Sequence, residues 1–490
     1  MKRALILVFV AFVGLMVFLL ARALALPSRQ VQVKPVPRIT LDETALAERL
    51  AAALRFETIS YQDPAALPRG EFDKFQRWLA ETYPLLHAHL SLERVSDLSL
   101  LYTWQGRDPQ LPPLLLLAHQ DVVPVGTPER WSEPPFAGRM DGGFVWGRGA
   151  IDDKSSLLSI CEAVELLLAR GFRPERTVLL AFGHDEEVGG ANGATQVAAL
   201  LASRSVHAWF ALDEGGVILS PGVVPGISGP VALIGVAEKG YVTLDVVAKA
   251  EGGHSSMPPR HTAAGILAKA IVALEDHPMP GGVGGVTGST IAYLAPEMPL
   301  PGRVLLANLW LFAAPLDTLL SSQPSVNAFL RTTTAVTQLT GSPKDNILPS
   351  EAVAGVNFRI LPGDTIDLVE KRARAVVDDP RVEVRTRSPA WEASPVSPID
   401  AASFALLART IRESFPDAIV APSLVLGGTD ERHYGEVTKE LYRFQPFRME
   451  RADMKRPHGI DERMSTQNYA DAVRYQVQLL VNAAGSPPTQ

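Results

Sequence analysis

Ala4 to Ala21 form an uncharged, almost wholly apolar run behind Lys2 and Arg3. Read as a helix, these 18 residues reach about 27 Å, just enough to cross a hydrocarbon core. The run exceeds the about 7–15 residues of a usual signal-peptide core, which favours a retained anchor. Ala23-Leu24-Ala25 nevertheless offers a cleavage site, so residues 1–26 read as a signal anchor or a signal peptide. A basic start ahead of an apolar core is an export signature and predicts that the rest of the chain lies outside the cytoplasm. Arg22, Arg29, Lys34 and Arg38 follow the run and by count would hold that side in, so charge alone does not fix orientation.

Residues 27–39 carry Pro27, Pro35 and Pro37 and predict an extended linker. LDETALAERLAAALRF and FDKFQRWLAETY have apolar residues at helical spacing. From about residue 98, short apolar runs (LSLLYTW, LLLLA, TVLLAFG, AWFAL) alternate with helical ones such as SSLLSICEAVELLLAR, closed by Gly171. That rhythm predicts an α/β core on a mixed, largely parallel sheet. After Lys239 the pattern changes. YVTLDVVAKA and VAGVNFRIL alternate with period two, and VEVRTRS is a further strand. TAAGILAKAIVALEDH and LVEKRARAVVD are helical, whereas 278–302 are rich in Gly and Pro and predict a loop. Strands with one solvated face plus two helices predict a small α+β insert over 240–392. The first body, 40–239, then resumes over 393–490 with FALLARTIRES and NYADAVRYQVQLLVNAA.

Composition narrows the chemistry. The balance of 46 basic and 53 acidic residues gives no electrostatic reason to expect a nucleic-acid partner. One cysteine, Cys161, supports neither an intramolecular disulfide nor a cysteine-rich zinc site. Histidines and carboxylates remain as metal ligands. Several stand at the ends of apolar strands: His119 and Asp121 after LLLLA, Asp185, Glu186 and Glu187 after TVLLAFG, and Asp213 after AWFAL. Carboxyl ends of parallel strands are where open α/β sheets place ligands. Asp152 and Asp153 precede a helix, where capping is the plainer explanation. As a set, carboxylates converging on one rim require a cation to offset their repulsion.

Ten motifs in order carry a family resemblance: AHQDVVPV, WSEPPF, GRGAIDDKSS, GHDEEVGG, LDEGG, GGHSSMPP, NILPSEA, NFRILPGD, GGTDERHY and RPHGIDE. From about residue 40 to the C-terminus the chain resembles the co-catalytic zinc exopeptidases of metallopeptidase family 20. The nearest branch is that of carboxypeptidase S and the N-acyl-amino-acid hydrolases. The resemblance implies a catalytic domain interrupted by a lid or dimerisation domain, and two Zn2+ per chain. His119 and Asp213 would bind one ion, Glu187 and His458 the other, and Asp152 would bridge them and be followed by a cis peptide to Asp153. Glu186 would be the general base and Asp121 would orient His119. His254, in the insert, would reach a partner subunit's site and stabilise an oxyanion in a homodimer; Arg359 would bind the substrate's free carboxylate, with Asn346 as a polar contact.

These residue types suit that chemistry. Imidazole and carboxylate are zinc ligands, and Co2+ or Mn2+ could substitute in such a nitrogen–oxygen set. Two ions about 3.5–4 Å apart can share a carboxylate and a water whose pKa falls toward 7. Glu186 and Glu187 point different ways on extended backbone, so one can take a proton while the other binds metal. The planar fork of Arg359 matches a carboxylate. The expected activity is hydrolysis of an amide next to a free-carboxylate amino acid, in a peptide or an N-acyl amino acid. The alternative is a non-catalytic, membrane-tethered binding protein on a peptidase scaffold, against which an intact Glu186 argues. His184 and His433 read as loop residues, and Gly147-Arg148-Gly149 lacks the third glycine of a dinucleotide fingerprint because Asp152 stands there.

Overall fold

The runs that are apolar at every position become strands buried on both faces. The computed structural model describes residues 1–485. In Leu114–His119, Leu114 and Leu116 enter one core while Leu115 and Leu117 enter another on the opposite side of the sheet. The first core is closed by the helices Glu43–Ala53, Lys154–Ala169, Ala402–Ser414 and Thr466–Ala484. The second is closed by Ala194–Ser203. Side chains alternate along a strand, so a helix layer on each face demands apolar residues at every position.

At the centre of the ten-stranded sheet, Val178–Gly183, Leu114–His119, Phe210–Asp213 and Leu441–Arg443 run parallel. Antiparallel neighbours flank them, including Ser99–Trp104 on one side and Val231–Glu238 on the other. The sheet is therefore mixed. Register sets His119 opposite Gly183, and Asp213 opposite Arg443. The strand-end carboxylates thus share one rim.

A second sheet, all antiparallel, orders Thr333–Thr340, Glu351–Ile360, Gly240–Lys249 and Val382–Trp391. Ala263–Asp276 and Ile366–Val377 cover one face and enclose a separate core around Val242, Leu244, Val246 and Val356. A stack of side chains ties this sheet to the first body. Arg359 lies 5.0 Å over the Tyr241 ring, Tyr241 stacks on Trp391 at 4.7 Å, and Arg432 lies 5.0 Å over Trp391.

Two segments depart from the sequence expectation. Residues 278–302 are not a loop: they contain the helix Gly285–Leu294 and the start of Leu300–Ala307, with Leu309–Ser321 and Pro324–Leu330 following. Pro299 caps and Pro301 opens the helix Leu300–Ala307, positions where a missing N–H costs nothing. Gly285–Leu294 packs back on the first body, where Thr290 Oγ1 donates to the Pro422 carbonyl at 2.7 Å and Tyr293 meets Phe404. The stretch 27–39 is extended but is no free spacer. Gln30 donates to the Val420 carbonyl at 2.9 Å and accepts from its N–H at 2.7 Å, and Val36 N–H bonds the Glu413 carbonyl. The leader forms one helix, Lys2–Leu24, long and apolar enough to cross a membrane.

Candidate metal centre

His119, the last residue of its strand, is buried, with each ring nitrogen committed. Nδ1 lies 3.0 Å from the Asp121 carbonyl and 3.3 Å from its carboxylate. Nε2 lies 3.0 Å from Asp152 Oδ1 and 3.2 Å from Glu214 Oε1. Asp152 turns its other oxygen to His458 Nε2 at 3.1 Å, and His458 also meets Glu187 Oε2 at 2.9 Å. Two groups result, His119–Asp152–Glu214 and Asp152–Glu187–His458, in each of which the candidate ligand atoms lie within 4.8 Å of one another. Asp152 belongs to both. The Asp152–Asp153 peptide bond is cis.

The carboxylate that meets His119 is Glu214, the residue after the expected ligand Asp213, whose buried Oδ2 has no hydrogen-bond partner. Asp213 ends the strand and is buried, and its Oδ1 accepts from the Glu214 N–H at 2.9 Å. Asp121 accepts the backbone N–H groups of both Glu186 and Glu187 at 3.2 Å while its other contacts fix His119. One buried carboxylate thus orients an imidazole and the Glu186–Glu187 turn. That turn is the short helix Glu186–Val188, not the extended backbone expected for Glu186 and Glu187, and it is closed by Gly189 and Gly190 at φ +107° and +68°. A Cβ on Gly190 would lie 2.3 Å from Asp430 Oδ1, so this close approach also requires glycine.

Glu462 lies within the RPHGIDE motif but was not singled out from sequence. Its fully buried carboxylate accepts from Arg148 Nη1 at 2.6 Å and from the N–H groups of Gly149, Ile151 and Asp152 at 3.1, 2.7 and 3.1 Å. It anchors the loop that presents Asp152. His184 bonds Ser99 Oγ, and His433 bonds Thr195 Oγ1 and the Gly189 carbonyl; neither joins a metal-capable group.

The remaining site candidates lie on the second sheet's body. Gly253–His254 pairs with Ile347–Leu348, and Ser255 N–H bonds the Asn346 carbonyl at 3.1 Å, so His254 and Asn346 are neighbours. His254 is exposed, its Nδ1 2.8 Å from Ser256 Oγ. Arg359, on Glu351–Ile360, has the Tyr241 ring rather than a carboxylate against its guanidinium. Among the described residues no hydrogen bond or ion pair joins His254, Asn346 or Arg359 to the carboxylate cluster.

The electrostatics bear on whether cations fit. Burial pushes the carboxyls of Glu186 and Glu214 well above the usual range. Burial likewise raises Asp213 to about 6, Glu187 to about 7 and Asp153 to about 8. His458 is raised to about 10 by its bonds to Asp152 and Glu187. Burial opposes charge on His119, but its bonds to Asp121, Asp152 and Glu214 outweigh that and raise it. The direction of these shifts marks a cluster that calls for added positive charge. Glu187 Oε1 is buried and has no hydrogen-bond partner. A histidine–carboxylate set with a shared carboxylate and an unpartnered oxygen fits divalent cations.

Residues 115–482 match the family model "Peptidase family M20/M25/M40". The chain belongs to that family. It is 40% identical over 479 residues to "Probable carboxypeptidase S-like 2" of Dictyostelium discoideum, covering 96% of this chain and 92% of the relative. It is 39% identical over 449 residues to the Mus musculus "N-fatty-acyl-amino acid synthase/hydrolase PM20D1", covering 90% and 88%. Among solved structures, an M20 family metallo-carboxypeptidase from Sulfolobus solfataricus superposes with a TM-score of 0.64 at 18% identity, covering 90% of this chain and 99% of that one. Human carnosine dipeptidase 1 gives 0.62 at 16%, covering 90% and 97%. As a member of the M20 family the chain is an enzyme, a hydrolase of the metallopeptidase kind.

Proposed function

We infer that this M20 enzyme hydrolyses an amide bond next to a free-carboxylate amino acid, in a peptide or an N-acyl amino acid. The observation that carries the reading is the pair of ligand groups sharing Asp152. His119, Asp152 and Glu214 would hold one divalent cation, and Asp152, Glu187 and His458 a second, with zinc the ion best suited to the donors. Such ions, when bound, polarise a scissile carbonyl and make a shared water acidic.

The chain's own residues supply the rest. Glu186 is partly buried beside the cluster, its backbone held by Asp121. It takes the proton of the attacking water as the oxygen bonds the carbonyl carbon, and returns it to the amine as the C–N bond breaks. The products are a carboxylic acid and an amino acid. Arg359, with an aromatic face behind it and no acidic partner among the described residues, receives the substrate's carboxylate through its planar fork, with Asn346 as a polar contact. His254, exposed on the other body, donates to the developing oxyanion in the site of a second copy.

Glu186→Gln tests the reading. Both metals should remain by elemental analysis, and kcat on a panel of dipeptides and short- and long-chain N-acyl amino acids should fall about 10²–10⁴-fold. Near-native kcat with two metals bound would remove Glu186 as the base. The panel itself separates peptide from N-acyl amino acid.

A further inference from the structure

The helices Leu300–Ala307 and Leu309–Ser321 meet at Asn308 with a bend of 106°. No charged residue lies between Arg303 and Asp317. Leu309–Ser321 is apolar from Leu309 to Leu316, and of its polar residues Asp317 and Ser321 are bonded by Arg331 while Thr318 is exposed, yet within it only Leu316 is buried. Trp310, Leu311, Ala314, Pro315 and Leu319 form an exposed stripe at helical spacing, with Trp310 58% and Leu319 63% accessible. Two helical turns without a polar residue belong in a protein core or in lipid, and these are not in a core. At about 20 Å, its 13 residues are too few to cross a bilayer.

The leader helix docks on this elbow. Its only buried residues are Leu19 and Ala23. Asn308 Nδ2 donates to the Leu19 carbonyl at 3.1 Å, and the Phe18 ring meets Trp310 edge-on at 6.3 Å. Phe18 is six residues from the end of the Lys2–Leu24 helix, about 9 Å along its axis. The exposed stripe is therefore continuous with the apolar surface of the leader, at the depth where a bilayer's headgroups give way to hydrocarbon. Arg22 lies 5.9 Å over Phe18 and Arg29 lies 5.3 Å over Tyr293, which puts cations at the same boundary. Tryptophan and arginine are the side chains that such an interface favours. The strapping of residues 27–39 onto the body holds the elbow and the leader together.

We propose that the elbow Leu300–Ser321 is a second membrane contact, lying in the interface of a lipid bilayer beside the leader helix and seating the catalytic body on the membrane. The occupant of the apolar stripe is lipid, because the stripe continues a helix that is exposed along its own apolar length. Two contacts, one spanning and one in the plane, fix the body's orientation as a single helix cannot.

The test uses the full chain in phosphatidylcholine–phosphatidylglycerol nanodiscs, with a nitroxide placed singly by Trp310→Cys, Leu311→Cys or Leu319→Cys. Leu368→Cys, on an exposed helix of the second body, is the control, and native Cys161 is buried. Labels at 310, 311 and 319 should be relaxed by oxygen and shielded several-fold from a water-soluble nickel chelate, and the label at 368 should show the reverse. Equal nickel accessibility at all four overturns the proposal. So does spin–spin broadening at 319 that vanishes on dilution with unlabelled chain, which would assign the stripe to a second copy. If the cysteine variants fail to fold, Trp310→Phe serves. Quenching of tryptophan fluorescence by brominated lipid should drop in that variant, and unchanged quenching overturns the proposal. No readout depends on turnover, so failure here leaves the catalytic reading untouched.

Discussion

Replacing Glu462 with glutamine barely changes volume and removes no proposed ligand, yet it should loosen the whole centre. The carboxylate accepts four donors: Arg148 Nη1 and Gly149 N–H on one oxygen, Ile151 and Asp152 N–H on the other. An amide oxygen can keep the second pair, but its NH₂ must then face Arg148 and Gly149, donor against donor. Arg148 is 2% exposed and would become a buried cation without its counter-ion. Breaking such a pair costs about 3–5 kcal/mol. Two lost charge-assisted bonds at about 1.5–3 kcal/mol each give the same range. Because the loop presents the shared Asp152, both ions should weaken together, by the about 10–100-fold typical of partners just outside the ligand set. Thermal unfolding of the chelated protein and competitive metal titration read the two effects separately. The double variant Glu462→Gln, Arg148→Met should regain part of the stability, since no buried cation is left unpaired. Unchanged melting and unchanged metal affinity in the single variant would refute the argument.

Glu214→Ala should lower bound metal from two ions toward one, whereas Asp213→Asn should keep both with at most the about 10–100-fold loss of a residue behind a ligand; the opposite result would return Asp213 to the ligand set. Stripped of metal, the protein should melt lower as pH rises from 5 to 8. Asp213, Glu187 and Asp153, at about 6, 7 and 8, hold protons in the folded state that an unfolded chain has released near 4, and that advantage is lost as pH climbs through each. His458 at about 10 acts in the same direction, and saturating zinc should reverse the slope because the cation replaces the protons. Mixing inactive His254→Ala and Glu186→Gln chains should restore activity, since a mixed dimer has one site with both native residues; silence from demonstrated mixed dimers would refute action across the interface.

What the sequence made legible follows from how each feature is encoded. The sheet strands and the place of His119 on the rim could be read because a buried strand announces itself locally, whereas Glu187 is singled out from Asp185, Glu186 and Glu187 only by the family resemblance. The helices of 285–330 could not be read. Glycines and prolines mark their boundaries, and Leu309–Ser321 has no polar residue before Asp317, so the 3.6-residue period that reveals a surface helix is weak. Glu462 was visible as a letter in a motif, but its function rests on partners 310 to 314 positions away. No local pattern encodes that pairing.

Asp213 and Glu214 show a subtler limit. Period two guarantees that neighbours in extended chain face opposite ways, but which of them faces the site depends on the strand's phase. In Glu351–Ile360, one partly solvated face makes the phase readable, since buried and exposed positions largely alternate. In Phe210–Asp213 every residue is buried, with Phe210 and Leu212 in one core and Ala211 in the other. Where both faces are apolar, hydrophobicity carries no phase. Which of the two carboxylates turns toward His119 is therefore set by the packing of the sheet, and metal content in Glu214→Ala against Asp213→Asn decides which of them is a ligand.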